Sequence, residues 1–423
     1  MTDSVPPAAE FRLWRSVLLV FFPFAGGYFL SYLLRSVNAV IAPQLIEELS
    51  LDAGDLGLLT SAYFLAFASF QVPLGVLLDR YGPRRVQAAL LLSAALGAFL
   101  FSQGETRVSL VVARALIGLG FAGGLMSSFK AITLWFPQAR WPLVNGFFLS
   151  MGGLGAVSAT RPVEALLGLM DWRGVFLTFS IAIVCVSSII LLVVPERRNV
   201  GQGSSLREQL QGLVVVWRNR YFWKIAPVAF TSMAIGLAVQ GLWAGPWFRD
   251  VAGLDRTAVA NALFMLTLGL TAGMVGSGLL AEAFARVGIG VLGVMKLGLV
   301  IFFAVQAIIV WQWLPDALWP WMVFGFLSNI CVLAYPQLSS HFPLHYSGTA
   351  NAGLNVLVML GAFAAQYGIG AIIDLWPLAD DGGYLPEAHR GSLGAMLALQ
   401  VVCYLWLFVP QRRKTPAAAA DAA

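Results

Sequence analysis

Apolar stretches of about 20 residues, the length a helix needs to cross the hydrocarbon of a bilayer, alternate with short polar stretches along the chain. The runs fall near 16–41, 56–78, 85–102, 109–132, 143–168, 174–194, 224–246, 257–281, 289–311, 318–339, 348–373 and 391–409. In lipid, backbone amides and carbonyls find no water, so a spanning segment satisfies itself as a helix. The pattern therefore predicts an all-α membrane protein with twelve spans. The first run begins near Arg15 and is too long for a signal peptide, so it reads as a retained span.

One polar interruption, Pro195 to Tyr221, is longer than most of the others. Ser205, Leu206, Arg207 and Glu208 read as a capping box. Behind it, Leu206, Leu210, Leu213, Val214 and Trp217 share one helical face, which predicts an amphipathic helix on the membrane surface. This divides the chain into a first half (1–194), a connector (195–223) and a second half (224–423). The halves repeat: shifted by 203 residues, Leu51 and Asp52 meet Leu254 and Asp255, Gly75 meets Gly278, and Asp79 meets Glu282. Such repeats are typical of transporters, with the substrate between them. The stretch Pro377 to His389 is polar and acidic and reads as an external loop. The tail from Thr415 to Ala423 reads as disordered.

Composition agrees: 59% of residues are hydrophobic and 11% charged. Alternating the loops between two sides puts sixteen Lys and Arg on the side of the N-terminus and five on the other. By the positive-inside rule both termini are cytoplasmic, and the net charge of +5 needs no nucleic acid. Cys185, Cys331 and Cys403 lie within spans without metal or disulfide spacing. The three histidines read as loop residues. No metal cluster, nucleophile motif or nucleotide-binding loop stands out, which argues against an enzyme or an ATP-driven pump.

Between spans two and three the chain reads Gly75-Val-Leu-Leu-Asp79-Arg80-Tyr-Gly82-Pro-Arg84-Arg85. All six named positions resemble the loop signature of the major facilitator superfamily. The resemblance implies two pseudo-symmetric six-helix halves that rock around a central site, hence a secondary transporter, monomeric by default and without a cofactor. It also implies that Asp79 bonds the N-terminus of span eleven, that Arg84 holds Asp79 in place, and that this loop with Glu282 gates access. Spans one, four, seven and ten would line the cavity.

Five cations lie within spans: Arg35, Arg114, Lys130, Arg161 and Lys296. Buried charge in a membrane is costly, so each is a functional candidate. Tyr28, Tyr32, Arg35 and Asn38 share a face of span one, where a guanidinium can clamp a carboxylate or phosphate with two parallel bonds. Arg114 with Gly118 and Gly120 resembles the superfamily motif associated with proton coupling. Arg161 and Glu164 stand three apart and are placed to pair, with Glu164 a candidate titrating group. Lys130 could serve the cavity or snorkel; Lys296 suggests no role. Gln240, Trp243, Tyr335, Asn351 and Asn355 offer polar and aromatic contacts from the second half. The cationic first half favours a small organic anion as substrate, with protons as a candidate coupling ion, across the cytoplasmic (inner) membrane. A drug or metabolite efflux antiporter is the alternative. Gly152, Gly153 and Gly155 are present in span five without the Gly-Pro of the antiporter motif. A non-transporting membrane sensor on the same fold is the alternative of another class.

Overall fold

The computed structural model describes residues 13–137, 140–196, 206–379 and 382–409. Every regular element among them is helical. The first half runs α1 (Leu13–Ser16), a π-helical turn (Val17–Phe21), α2 (Phe22–Ser36), α3 (Asn38–Leu49), α4 (Ala53–Ser102), α5 (Arg107–Phe121), α6 (Gly124–Trp135), α7 (Trp141–Ser158), α8 (Arg161–Leu167) and α9 (Trp172–Val193). The connector forms α10 (Leu206–Trp217). The second half runs α11 (Arg220–Ala238), a π-helical turn (Val239–Trp243), α12 (Ala244–Asp250), α13 (Arg256–Ala285), α14 (Val291–Val310), α15 (Trp319–Ser328), a 3-10 turn (Ile330–Leu333), α16 (Ala334–His341), α17 (Leu344–Ile373) and α18 (Pro386–Trp406).

Nine helices among the described residues are long and apolar enough to cross a membrane, and ten if the bent pair Leu143–Ser158 and Arg161–Leu167 forms one span. That test takes α4 as one helix, yet α4 is two rods. Gly82 sits at φ 78° and ψ 163° inside it, a left-handed setting that glycine adopts without strain. Pro83 follows and cannot continue the helical ladder.

The internal repeat appears in local chemistry. Asp52 caps α4 by accepting the Asp55 amide at 2.6 Å, and Asp255 caps α13 by accepting the Ala258 amide at 2.7 Å. Both are Asx caps that satisfy an otherwise orphaned first-turn donor. Inside the first half, α4 and α5 touch backbone to backbone. A methyl group on Gly118 would lie 2.1 Å from the Tyr63 carbonyl oxygen, and one on Gly120 would lie 2.3 Å from the Ala94 nitrogen. Close packing thus accounts for both glycines.

Several sequence expectations shift. The first run continues past residue 41 as α3, which ends at Leu49. The last begins at Pro386 rather than 391, so His389 is buried in a first turn instead of lying in a loop. His341 ends α16. The connector helix forms, and its apolar face is covered only in part. Gly212 and Val216 are buried and Leu213 and Trp217 half-buried, whereas Leu206, Leu210, Val214 and Val215 are exposed. Ser205 of the expected capping box, Arg12, residues 197–200, Asp380, Asp381 and the chain from 410 onward lie outside the described residues.

Candidate functional site

Arg35 lies in α2, and its side chain is enclosed by aromatic rings. Its guanidinium carbon is 4.7 Å from the Tyr32 ring centroid, 5.5 Å from Tyr63, 5.9 Å from Phe64 and 5.5 Å from Phe67. The ring faces carry negative potential and attract the cation. Arg35 is 7% exposed, and its Nε has no hydrogen-bond partner. No carboxylate among the described residues pairs with it. Around it, the Tyr28 hydroxyl donates to the Tyr32 hydroxyl at 3.3 Å, and Ser31 Oγ and Tyr63 Oη lie 3.2 Å apart. Tyr63, Phe64 and Phe67 escaped the sequence reading. Their spacing on one side of span two was the available signal.

Other expected contacts are structural ties. Asn38 Nδ2 donates to Thr60 Oγ1 at 2.8 Å. The π-helical turn after α11 aims Gln240 at the first half, where its Nε2 donates to Ser36 Oγ at 2.9 Å. Trp243 is buried; its Nε1 donates to the Gln366 carbonyl at 3.0 Å within the second half, and its ring reaches the first half, where a methyl group on Gly57 would lie 3.4 Å from it. Tyr335 is half-buried and lies within electrostatic reach of Tyr32. Asn351 Nδ2 donates to Ser339 Oγ at 2.9 Å, and Asn355 is half-buried on α17. Gln366 is fully buried with neither side-chain polar atom bonded.

The remaining intramembrane cations have contacts of their own or are exposed, although no carboxylate pairs with Arg114 among the described residues and its Nε, like that of Arg35, has no hydrogen-bond partner. Arg114 is fully buried and donates from Nη1 to the Leu34 carbonyl at 2.9 Å. Lys130 donates to Asp79 Oδ1 at 2.5 Å. Lys296 Nζ lies 4.7 Å from the Phe408 ring. The expected Arg161–Glu164 pair is not formed. The chain breaks between Ser158 and Arg161, Arg161 is exposed, and Glu164 Oε1 meets Arg256 Nε of the second half at 2.8 Å. Glu164 Oε2 is buried without a partner. It faces a cavity of about 130 Å³ between the halves, also lined by Val40, Ile46, Arg249, Leu254 and Val259.

The signature loop lies at the same end as α10, called here the connector end. Arg84 does not hold Asp79 as the resemblance implied. Arg84 Nε donates to the Leu191 carbonyl at 3.0 Å and thereby fixes the loop to the end of α9. Lys130 is the partner that sequence reasoning missed for Asp79. Arg80 covers Tyr81 at 5.3 Å, and Arg85 pairs with Glu196 at 2.8 Å. Gly75 faces Gln209 of α10. The repeat counterpart Glu282 pairs with Arg286 at 3.0 Å on an exposed surface.

At the far end the halves are in tight contact. Asp374, just past α17, accepts the amides of Ala53 and Gly54. A methyl group on Gly370 would lie 2.3 Å from the Ala53 carbonyl oxygen. Asp250 Oδ2 meets His389 Nε2 at 2.9 Å, which joins α12 to α18.

Comparison with known proteins agrees with this architecture. Residues 24–366 match the family model of the Major Facilitator Superfamily. A probable sulfoacetate transporter, SauU of Cupriavidus necator, is 26% identical over 263 residues, 59% of this chain and 60% of that protein. The match thus spans under two thirds of the relative. A probable L-galactonate transporter of Escherichia coli is 31% identical over 173 residues, 39% of this chain and 36% of that protein. A bacterial homologue of the human lysosomal transporter Spinster, crystallised in an inward-facing and unoccupied conformation, superposes with a TM-score of 0.75 at 17% identity, covering 94% of this chain and 97% of that one. A D-xylose-proton symporter superposes with a TM-score of 0.71 at 15% identity, covering 93% and 97%. The chain belongs to the Major Facilitator Superfamily and adopts its multi-pass membrane fold.

Proposed function

We propose that this superfamily member is a secondary transporter, not an enzyme, that carries a small organic anion across the cytoplasmic membrane by alternating access. Counting α4 as two spans, α7 with α8 as one and α18 as one gives the twelve spans of the sequence reading, with both termini cytoplasmic. The observation that carries the substrate reading is Arg35. Like Arg114 it is a buried cation with no pairing carboxylate among the described residues and an unpartnered Nε, and Arg35 is the one that lies over the hydroxyl-bearing rings of Tyr32 and Tyr63. An isolated charge in hydrocarbon costs several kcal/mol. The aromatic rings offset part of that cost, and a bound anion would offset the rest. Tyr28, Tyr32 and Tyr63 bring hydroxyls to the same place, and Gln240 and Tyr335 bring the second half close. Names of relatives point the same way: sulfoacetate, L-galactonate and tartrate are all anions.

The described conformation has its far end closed by the Asp374 cap and the Glu164–Arg256 pair. Transport requires both to open while the connector end shuts. Glu164 is our candidate for coupling: a proton on its carboxylate would remove its negative charge and so weaken the ionic contact with Arg256. Arg114, by contrast, is anchored to the Leu34 carbonyl beside Arg35, and we assign it a positioning role.

A thermal-stability screen of wild type and Arg35→Ala against monocarboxylates, sulfonates, phosphorylated compounds, neutral solutes and cations tests the reading. A ligand of the native state raises apparent stability by mass action. Stabilisation of wild type by an anion, lost in Arg35→Ala, is the expected result. Stabilisation by neutral or cationic compounds alone, equal in both proteins, would overturn it.

A further inference from the structure

The connector helix α10 is covered by protein on one side and open on the other. Its inner face lies against both halves at once. A methyl group on Gly75 of α4 would lie 2.6 Å from Gln209 Nε2. On the other side, a methyl group on Gly353 of α17 would lie 2.9 Å from Leu213 Cδ1, and one on Gly212 would lie 3.4 Å from Thr349 Cγ2. Three glycines therefore make room for one helix across the seam between the first and second halves. The outer face carries Leu206 (45% exposed), Leu210 (45%), Val214 (47%) and Val215 (45%). Exposed Arg207 in the first turn and Arg218 just past the helix lie along one edge of this stripe, with Glu208 next to Arg207.

Two further observations place this stripe at lipid headgroup level. Trp406 Nε1 donates to the Trp223 carbonyl at 2.8 Å, and Trp223 Nε1 donates to the Trp217 carbonyl at 2.5 Å. Indoles gather where hydrocarbon meets headgroups, and this chain of them ends on the last residue of α10. An apolar stripe rimmed by arginines at that depth has the character of an interfacial helix on an anionic surface.

We propose that α10 is a strap across the seam, held by anionic phospholipid. Its outer face binds the bilayer surface and its inner face joins spans of opposite halves, so lipid charge stabilises the conformation with the far end closed. Rocking the halves changes the separation of α4 and α17 at the connector end. The strap must then release at least one of its two contacts.

The test reads conformation and needs no transported substrate, so it is independent of the Arg35 reading. Cys185, Cys331 and Cys403 are replaced by alanine, and Gln366→Cys, buried against the far-end seam, is the reporter. Its alkylation by a maleimide is timed in nanodiscs of phosphatidylcholine alone or mixed with phosphatidylglycerol. The strap predicts slower alkylation with phosphatidylglycerol, by about fivefold for each arginine engaged. Arg207→Gln with Arg218→Gln should erase that difference. Equal rates in the two lipids, or a lipid effect undiminished in the arginine variant, would overturn the lipid assignment. In a second arm, Gly75→Cys is crosslinked to Gln209→Cys, which ties α4 to a helix that leads directly into α11. The oxidised protein should resist alkylation at Gln366→Cys and regain its rate on reduction. A crosslinked protein that reacts as fast as the reduced one would overturn the strap.

Discussion

The carboxylate of Asp374 bonds the first turn of α4 at two points: Oδ1 accepts the Ala53 amide at 3.0 Å and Oδ2 accepts the Gly54 amide at 2.7 Å. The two residues belong to opposite halves. The positive end of the α4 dipole faces a negative charge, an arrangement that stabilises by about 0.3–1 kcal/mol when partly exposed. Asp374→Ala should weaken far-end closure and lower thermal stability by about 1 kcal/mol, the usual cost of a lost cap. An unchanged melting temperature together with unchanged alkylation of Gln366→Cys would contradict this role.

The same contact predicts a pH dependence. Partial burial raises the Asp374 pKa above the ordinary carboxylate value, and Asp52 and Asp55 add to the rise while the Gly54 and Ala53 amides oppose it. When the far end opens or the protein unfolds, the carboxyl returns to an ordinary value near ~3.9. Because the pKa is raised in the closed state, its contribution is fully present below the ordinary value and fades as pH rises through the raised one. Acidification should thus favour far-end closure, and Asp374→Asn should flatten the profile. Melting curves of both proteins across the acidic range provide the comparison.

Glu164 and Arg256 make the second far-end contact, an ion pair whose arginine is half exposed. Pairs of this kind contribute about 0.2–1 kcal/mol and weaken with salt. Glu164→Gln should speed opening at the far end, and exchanging the two charges (Glu164→Arg with Arg256→Glu) should restore most of the closure. Failure of the exchange to restore it would show that the cavity geometry, not the charge pair, holds the contact.

Asp79→Asn removes the charge that Lys130 contacts at the connector end. The expected outcome is impaired flux with ligand-induced stabilisation intact, because the change falls on the Lys130 contact at the connector end and Arg35 is left untouched. Equal losses of flux and binding would move Asp79 into the substrate site.

Gly118→Ala tests whether backbone contact between α5 and α4 shapes the Arg35 cage. The added methyl group meets the Tyr63 carbonyl oxygen at 2.1 Å, so the helices must part. A loss of about 1–3 kcal/mol is expected for such overpacking. Anion affinity should fall with it, since Tyr63 moves. A drop in stability with unchanged affinity would separate packing from the site.

The fold was legible because lipid leaves so few choices. Long apolar runs dictated helices, and the Leu-Asp repeats marked the starts of α4 and α13, where both aspartates do cap. The signature loop was legible too, down to the turn at Gly82. Pairing partners were not. Arg161 and Glu164 are three apart in one short helix, yet Arg161 is exposed while Glu164 lies at the contact with the other half and pairs with Arg256 there. His389 sits in a polar stretch, yet α18 starts early enough at Pro386 to bury it against Asp250. The aromatic enclosure of Arg35 comes from span two, whose Tyr63, Phe64 and Phe67 look like ordinary core residues in one dimension. The connector was read as amphipathic with one apolar face. The room left by Gly75, Gly212 and Gly353 shows which side of the helix the two halves cover.

The paired aspartate caps carry a consequence for how the far end opens. Asp52 marks the start of α4, which Asp374 of the second half grips by its amides. Asp255 marks the start of α13, whose next residue, Arg256, is gripped by Glu164 of the first half. The two helices thus each hand their first turn to the opposite half, one through backbone amides and the other through a side-chain ion pair. Ionic strength loosens chiefly the second, and rising pH loosens the first through Asp374. Two fasteners with different solvents for glue need not fail together: the seam can unzip from either side, and the outside medium chooses which.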